Sequence, residues 1–230
     1  MNILITGASS GIGAATAKIL AKEGHRVILL ARRKEKLDEV AKECGKEVQT
    51  HAVDVSSLDS IDRFFASWSP PAGEELVLVN NAGVGHFGPF HEMSRDDWSA
   101  QINTNLVGLM AMTHGVLGYM LSQGKGRIIN VLSVAAEIHF ESGAAYCASK
   151  AGALAFAHSL ATQVRKSGIA VTNILPGATD TPIWDDKTWK PEQADMIPAQ
   201  AIAETIAYVV NAPRDRALDH ITVNPPKGIL

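Results

Sequence analysis

Short apolar runs rich in β-branched residues recur along the chain, and each is bounded by Gly, Pro, Asn, Asp or another polar residue. Such runs are typical of buried strands. The runs that predict strands are NILIT from Asn2, HRVILLA from His25, VQTHAVD from Val48, ELVLVNN from Glu75, GRIINVLS from Gly126, IAVTNILP from Ile169 and DHITVN from Asp219.

Longer segments with a helical period lie between these runs. The clearest are GIGAATAKILAKEG from Gly11, RRKEKLDEVAKECG from Arg32 and AAYCASKAGALAFAHSLATQVRKSG from Ala144. Because parallel strands need a crossover connection, the alternation predicts a doubly wound parallel sheet of the Rossmann type, with three α/β/α layers. The sequence shows no repeat and no linker longer than the SPPAG turn, so residues 1–230 are expected to form a single domain.

Composition narrows the class of protein. The 230 residues are 46% hydrophobic and 20% charged, with a formal net charge of -3, as in an ordinary globular domain. This charge offers no basic surface for nucleic acid or an anionic membrane. No apolar run approaches the roughly 20 residues that span a bilayer, and a strand that begins at Asn2 leaves no room for a signal peptide. Cys44 and Cys147 have no disulfide or zinc spacing, so we expect a cytoplasmic protein.

The stretch TGASSGIG places three glycines between the first predicted strand and the first predicted helix. In doubly wound sheets this turn is the usual phosphate cradle. Gly7 would turn the chain sharply, Gly11 would let the backbone approach a pyrophosphate, and Gly13 would let the helix pack close to the strand. A tight turn without a ligand would show the same glycines, so this motif needs support from others.

That support comes from four later motifs in a fixed order. They are NNAG from Asn80, Asn105 in NTNLVG, Ser133 followed by Tyr146 in YCASK, and PGATDT from Pro176. Together with TGASSGIG they resemble the short-chain dehydrogenase/reductase family over essentially the whole chain. The resemblance implies an oxidoreductase that uses a nicotinamide dinucleotide.

The chemistry of the central motif also follows from its residues. Tyr146 and Lys150 are four positions apart on a predicted helix, so their side chains share one face. A nearby ammonium stabilises a phenolate, and Lys150 is therefore expected to lower the pKa of Tyr146. Ser133 ends a predicted strand at the ligand-binding edge and would donate a hydrogen bond to a carbonyl oxygen. By the resemblance, Asn105 is a fourth catalytic residue that holds a water in a proton relay to Lys150.

The second predicted strand indicates which dinucleotide is used. An acidic residue near its end binds the ribose 2′-hydroxyl of NAD, whereas an arginine there accommodates the 2′-phosphate of NADP. Here Ala31 stands in place of the acid and is followed by Arg32 and Arg33. The planar guanidinium forms paired charge-assisted hydrogen bonds to a phosphate, so NADP(H) is the expected cofactor. A solvated helix start is the alternative interpretation of this charge run, above all for Arg33.

The resemblance implies further contacts with the cofactor. Asp54 and Val55 would border the adenine, Asn81 to Gly83 the adenine ribose, and Thr179 and Thr181 the nicotinamide and pyrophosphate. The full set of implied cofactor-binding residues is Gly7, Ser9, Ser10, Gly11, Ile12, Gly13, Arg32, Arg33, Asp54, Val55, Asn81, Ala82, Gly83, Tyr146, Lys150, Pro176, Gly177, Thr179 and Thr181.

Other residues with reactive or bulky side chains carry less information. The histidines have no spacing that suggests a metal site. His139 and Phe140 lie between Ser133 and Tyr146 and are candidates for substrate contact. The segment 181–198 follows PGATDT and combines Trp184 and Trp189 with many polar residues, which suggests a substrate lid. Two tryptophans packed in a fixed loop would give the same pattern.

These observations predict an NADP(H)-dependent oxidoreductase that transfers hydride between the nicotinamide and a carbonyl or secondary alcohol. A dinucleotide-binding sensor or scaffold that has lost turnover is the alternative, although Ser133, Tyr146 and Lys150 argue against it.

The segment AGALAFAHSLA from Ala151 has small and apolar residues around most of its circumference. A helix of this kind suits packing on a sheet and on a partner at once, and the resemblance implies a dimer interface here, so we expect a homodimer or homotetramer. Burial of this helix by the sheet and its own neighbours is the alternative.

Overall fold

The computed structural model describes residues 1–45, 48–185 and 190–228. Seven strands in these residues form one parallel sheet in the order β3-β2-β1-β4-β5-β6-β9. The strands of this sheet are β1 (Asn2–Thr6), β2 (Arg26–Ala31), β3 (Val48–Ala52), β4 (Leu76–Asn80), β5 (Gly126–Val131), β6 (Ile169–Pro176) and β9 (His220–Val223). A second sheet of two short strands, which the sequence did not predict, pairs β7 (Thr179–Asp180) with β8 (Ile197–Pro198).

Helices cover both faces of the large sheet, as the alternation predicted. They are α1 (Gly11–Lys22), α2 (Lys34–Cys44), α3 (Leu58–Ser67), α4 (Arg95–Ile102), α5 (Leu109–Gln123), α6 (Ala144–Val164) and α7 (Ala199–Asn211). Serine hydroxyls cap two of them: Ser57 accepts the backbone N–H of Ser60 at 3.3 Å, and Ser94 accepts that of Asp97 at 3.1 Å. Both serines satisfy backbone donors that a helix leaves free in its first turn. None of the described helices is long and apolar enough to cross a membrane.

The sheet has a separate apolar core on each face because side chains alternate along a strand. In β1, Ile3 and Ile5 pack in one core with Ile206 of α7. Leu4, between them, packs in the opposite core with Met112 of α5. This alternation produces the three-layer, single-domain Rossmann-type fold that the sequence predicted.

The strand order reverses at β1, which has β2 on one side and β4 on the other. Ligands of open parallel sheets bind at such a point, beyond the carboxyl ends of the strands. Here the Thr6 hydroxyl accepts the backbone N–H groups of Asn81 and Ala82, each at 3.0 Å. The first and fourth strands are therefore joined just where they open into the cleft described next.

Candidate active site

A cleft of about 1310 Å³ opens above the carboxyl ends of the central strands. It exceeds the roughly 300–1,000 Å³ of sites for drug-sized ligands and is large enough for a dinucleotide with a small substrate. The predicted site residues that line it are Gly7, Ser9, Ser10, Gly11, Ile12, Arg32, Arg33, Asp54, Val55, Asn81, Ala82, Gly83, Ser133, Tyr146, Lys150, Pro176, Gly177, Thr179 and Thr181. Gly13 and Asn105 are the two predicted site residues that lie outside this lining.

The glycine-rich turn requires glycine for both conformation and space. Gly7 has φ of 65°, and a Cβ there would stand 2.7 Å from the Cα of Ala82. Gly11 has φ of 54°, and its Cβ would meet the Thr181 side chain at 3.1 Å. Positive φ is unfavourable for residues with a Cβ, and either Cβ would also crowd a residue of the facing lining, Ala82 or Thr181.

Gly13 has a packing role rather than a place in the cleft lining. A Cβ at this position would lie 2.5 Å from both the Gly7 carbonyl oxygen and the Asn81 Nδ2. Asn81 itself donates from Nδ2 to the carbonyls of Thr6 and Gly7, at 2.9 and 3.2 Å. The missing side chain thus lets α1 approach the turn closely, as its position in the motif suggested.

The first turn of α1 is suited to an anion. The residue before it, Ser10, has extended backbone and makes no side-chain cap among the described residues. The first N–H groups of a helix need partners and carry a partial positive charge. Gly7 and Gly11 have no side chains to block these N–H groups. The turn and the start of α1 therefore fit the pyrophosphate of a dinucleotide.

One end of the cleft is positively charged. Ala31 lines it at the end of β2, and Arg32 and Arg33 follow with exposed side chains. Nη2 of Arg33 donates to the Ser9 hydroxyl at 3.2 Å. Asp54, across the cleft mouth, accepts from the backbone N–H and the hydroxyl of Ser56, at 3.0 and 2.7 Å. Among the described residues, these guanidinium groups supply the positive charge at the end of the cleft formed by β2.

Ser133, Tyr146 and Lys150 come together at the other end. The strand β5 ends at Val131, two residues earlier than predicted, and Ser133 instead caps a short 3₁₀ turn, accepting the N–H of Ala135 at 3.1 Å. The Lys150 ammonium donates to the carbonyl of Val131 at 3.2 Å and lies 5.8 Å from the Tyr146 ring centroid. All three groups face the same end of the cleft.

Burial dominates the protonation of the two titratable groups. It raises the pKa of Tyr146 to about 12, although a hydrogen bond with Ser133 acts in the opposite direction. It also lowers the pKa of Lys150 to about 8. The pKa of Tyr146 is therefore raised and not lowered as expected from Lys150, because burial of the phenol disfavours the phenolate. Tyr146 is a protonated phenol at neutral pH.

Asn105 lies at 1% exposure in a π-helical turn, Asn103–Gly108, between α4 and α5. Its Oδ1 accepts the backbone N–H of Val84 at 2.9 Å, and its Nδ2 donates to the Val84 carbonyl at 2.9 Å and to the Ser149 hydroxyl at 3.0 Å. The side chain thus fixes the segment after NNAG against α6, beside Lys150. Its proposed part in a proton relay stays a prediction.

The sequence reasoning missed part of the lining around Tyr146. The loop after NNAG supplies His86 and Phe87, which no motif indicated, whereas the 3₁₀ turn Pro182–Trp184 supplies Trp184, which belongs to the segment predicted as a lid. Phe140, a candidate for substrate contact, lines the cleft, whereas His139 lines a neighbouring small cavity. The position of the Gly- and Pro-rich loop directly after a central strand was the available signal for Phe87.

The segment proposed as a lid is described except for residues 186–189, which include Trp189. The indole N–H of Trp184 donates to the Thr179 carbonyl at 2.9 Å. At the other end, Met196 and Ile197 are buried, and the Ile197 N–H donates to the Ala178 carbonyl at 2.8 Å. Both ends of the segment are therefore anchored beside PGATDT.

Comparison with known proteins agrees with the geometry. The family model described as short chain dehydrogenase matches residues 1–192. An uncharacterized oxidoreductase of Staphylococcus haemolyticus is 32% identical over 223 residues, which cover 96% of each chain. The chain belongs to the short-chain dehydrogenase family, and the resemblance noted from its motifs is confirmed.

Two solved structures are similar over nearly their whole length. A serine dehydrogenase in its closed form with NADP⁺ has a TM-score of 0.89 at 27% identity, covering 100% of this chain and 97% of the other. An alcohol dehydrogenase from the archaeon Thermococcus sibiricus, with 5-hydroxy-NADP, has a TM-score of 0.88 at 28% identity, covering 98% and 96%.

Proposed function

We propose that the protein is an NADP(H)-dependent oxidoreductase acting on a carbonyl compound or a secondary alcohol. The observation that carries this proposal is the arrangement of one continuous cleft, with Arg32 and Arg33 at one end and Ser133, Tyr146 and Lys150 at the other. NADP derivatives bound to the two similar structures support the choice of dinucleotide.

The chain offers binding groups along the whole length of a dinucleotide. Arg32 and Arg33 would hold the 2′-phosphate, and the turn from Gly7 to Gly11 with the start of α1 would hold the pyrophosphate. Lys150 would donate to the nicotinamide ribose. When bound, the cofactor supplies the hydride that is added to the carbonyl carbon.

Ser133 and Tyr146 stabilise and then neutralise the negative charge on the carbonyl oxygen. Ser133 donates a hydrogen bond to that oxygen as negative charge develops on it. Tyr146 donates the phenolic proton to the same oxygen and later recovers one from solvent, so each turnover consumes one carbonyl compound, one NADPH and one proton. The raised pKa of Tyr146 keeps that proton available at neutral pH.

The experiment is a test of NADPH oxidation with a panel of ketones and aldehydes, coupled to a binding titration with NADPH. Tyr146→Phe should keep cofactor affinity while turnover falls by at least about 100-fold, the usual effect of losing a general acid. Tyr208→Phe is the matched control, because Tyr208 is 61% exposed on α7. NADPH binding without turnover of any panel member would instead support the sensor or scaffold.

A further inference from the structure

Three aromatic rings form a cluster beside the phenol of Tyr146. The Phe87 ring lies at their centre, with its centroid 5.3 Å from that of Tyr146 in an edge-to-face contact. The same ring stacks on Trp184 at 5.7 Å, with 20° between the planes, and is tilted against Phe140 at 5.9 Å. These are favourable geometries for aromatic pairs.

This cluster leaves apolar surface facing the cleft. Phe140 and Ile138 are each 44% exposed and line the cleft near Tyr146. The polar end of Trp184 is satisfied by the Thr179 carbonyl, so the rest of the indole is available for apolar contact. Exposed apolar surface beside polar groups is typical of a ligand site.

The charges at this end are unfavourable for an acidic substrate. Among the described residues, the basic side chains lining the cleft are Arg32, Arg33, His86 and Lys150. The two arginines are at the adenosine end, and Lys150 donates to the Val131 carbonyl. The ring Nδ1 of His86 lies 3.3 Å from the Asp97 carboxylate.

Carboxylates line the same region. Glu92, Asp97 and Asp185 all face the cleft on the substrate side. A bound carboxylate needs a guanidinium or ammonium partner, because it loses its hydration on entering the site. Serine carries such a carboxylate, and one of the similar structures is a serine dehydrogenase. The described part of this cleft has the opposite charge pattern from the one that an acidic substrate requires.

We infer that the substrate is an uncharged aromatic ketone or aldehyde, with its ring packed against the cleft-facing surface of the cluster of Phe87, Phe140 and Trp184 and its carbonyl at Tyr146. This inference deepens the proposed function and rests on it. It distinguishes this protein from the similar serine dehydrogenase.

A matched set of substrates tests the inference with NADPH and the intact protein. Ethyl benzoylformate and benzoylformate share one reacting ketone but differ in charge, and ethyl pyruvate has a methyl group in place of the ring. We expect kcat/KM for the aromatic ester to exceed that for the acid by about 100-fold or more, and that for ethyl pyruvate by about tenfold or more. A preference for benzoylformate would overturn the inference and leave the proposed function standing.

Two phenylalanines provide a matched pair of variants. Phe87→Ala should lower the ratio of kcat/KM between ethyl benzoylformate and ethyl pyruvate by about fivefold or more, since the ring contact is lost for one substrate only. Phe90→Ala should leave this ratio unchanged, because Phe90 is 55% exposed and lies outside the cleft lining. If Phe87→Ala does not fold, Phe140→Ala serves in its place. An unchanged ratio in a folded variant counts against the ring contact.

A binding measurement separates this inference from the proposed function. Benzamide and benzoate have the same shape and differ in charge, so calorimetric titration of each, with and without NADP⁺, needs no turnover. Benzamide should bind at least about tenfold more tightly than benzoate. Tighter binding of benzoate would overturn the inference. Failure to oxidise NADPH with any carbonyl would instead overturn the proposed function, and with it the inference that rests on it.

Discussion

Arg33 donates from Nη2 to the hydroxyl of Ser9 at 3.2 Å and so joins the end of β2 to the glycine-rich turn. The contact places the Arg33 guanidinium in the cleft lining, beside the glycine-rich turn. Arg33 is exposed directly before α2, as the alternative of a solvated helix start expected, and its side chain also lines the cleft and contacts a residue of the turn. The same geometry leads to a prediction about the cofactor.

NADPH should bind more tightly than NADH by about 1.5 to 3 kcal/mol, the value of a charge-assisted contact. Arg32→Asp should abolish or reverse this preference, because a carboxylate repels the 2′-phosphate and accepts from a 2′-hydroxyl. Arg165→Ala is the control, since Arg165 pairs with Asp219 at the far end of the sheet. The measurement is the Kd of each dinucleotide, and equal affinities in the unmutated protein would contradict the assignment.

NADPH affinity should fall as the pH rises above about 8. Burial lowers the pKa of Lys150 to about 8, so the free protein loses the ammonium in that range, and binding of the ribose then requires proton uptake. The Kd for NADPH should be constant from about pH 7 to 7.5 and should then rise by at most about tenfold per pH unit. Lys150→Arg keeps its charge and should remove the dependence. A constant Kd in the unmutated protein up to about pH 10 would show that Lys150 does not contribute in this way.

Gly13→Ala should destabilise the fold. Its Cβ would stand 2.5 Å from the Gly7 carbonyl oxygen and the Asn81 amide, and relieving that overlap costs about 1 to 3 kcal/mol. Gly118→Ala is the matched control, because a Cβ there meets nothing within 4 Å, and alanine in a helix is about 0.5 to 1 kcal/mol better than glycine. Denaturant unfolding measures both, and equal stabilities of the two variants would show that the turn adapts.

The protein should form a homodimer or homotetramer through α6. The sheet and its neighbours bury Ala153 and Ala157, whereas Ala155 is exposed on the same helix. Ala155→Arg should therefore dissociate the assembly, while Tyr208→Arg, at an exposed position of α7, should not. Light scattering at micromolar concentration gives the mass, and a monomeric unmutated protein would refute the proposal.

The segment 181–198 should become ordered over bound ligands, since cofactor contacts with Thr179 and Thr181 would fix its first end. NADPH with benzamide should slow proteolysis within this segment and change tryptophan fluorescence. Trp184→Phe should reduce that change, whereas Trp68→Phe should not, because Trp68 stacks on Phe64 in a separate aromatic group. Equal proteolysis with and without ligands would favour a loop that is already packed, as the anchored ends of the segment would allow.

The sequence by itself determined the parts of this protein that depend on local spacing. The apolar runs between the helical segments located the seven strands of the main sheet to within about two residues at each end. Parallel strands are buried on both faces and therefore appear in the sequence as nearly continuous apolar runs. The four-residue step from Tyr146 to Lys150 places both on one helix face. The glycine spacing likewise predicted the close approach of α1, which the contacts of Gly13 show.

Only the tertiary structure decided the features that depend on distant residues. Phe87 and Trp184 belong to loops far apart in the chain, and their stacking results from where the strands before them end. The pKa of Tyr146 was predicted in the wrong direction, because a neighbouring lysine can be read from sequence but the burial of the phenol cannot. The hydrogen bonds of the buried Asn105 amide with the Val84 backbone were not predicted either. Packing between separate elements determines the partner of a buried amide, and no local sequence pattern indicates it.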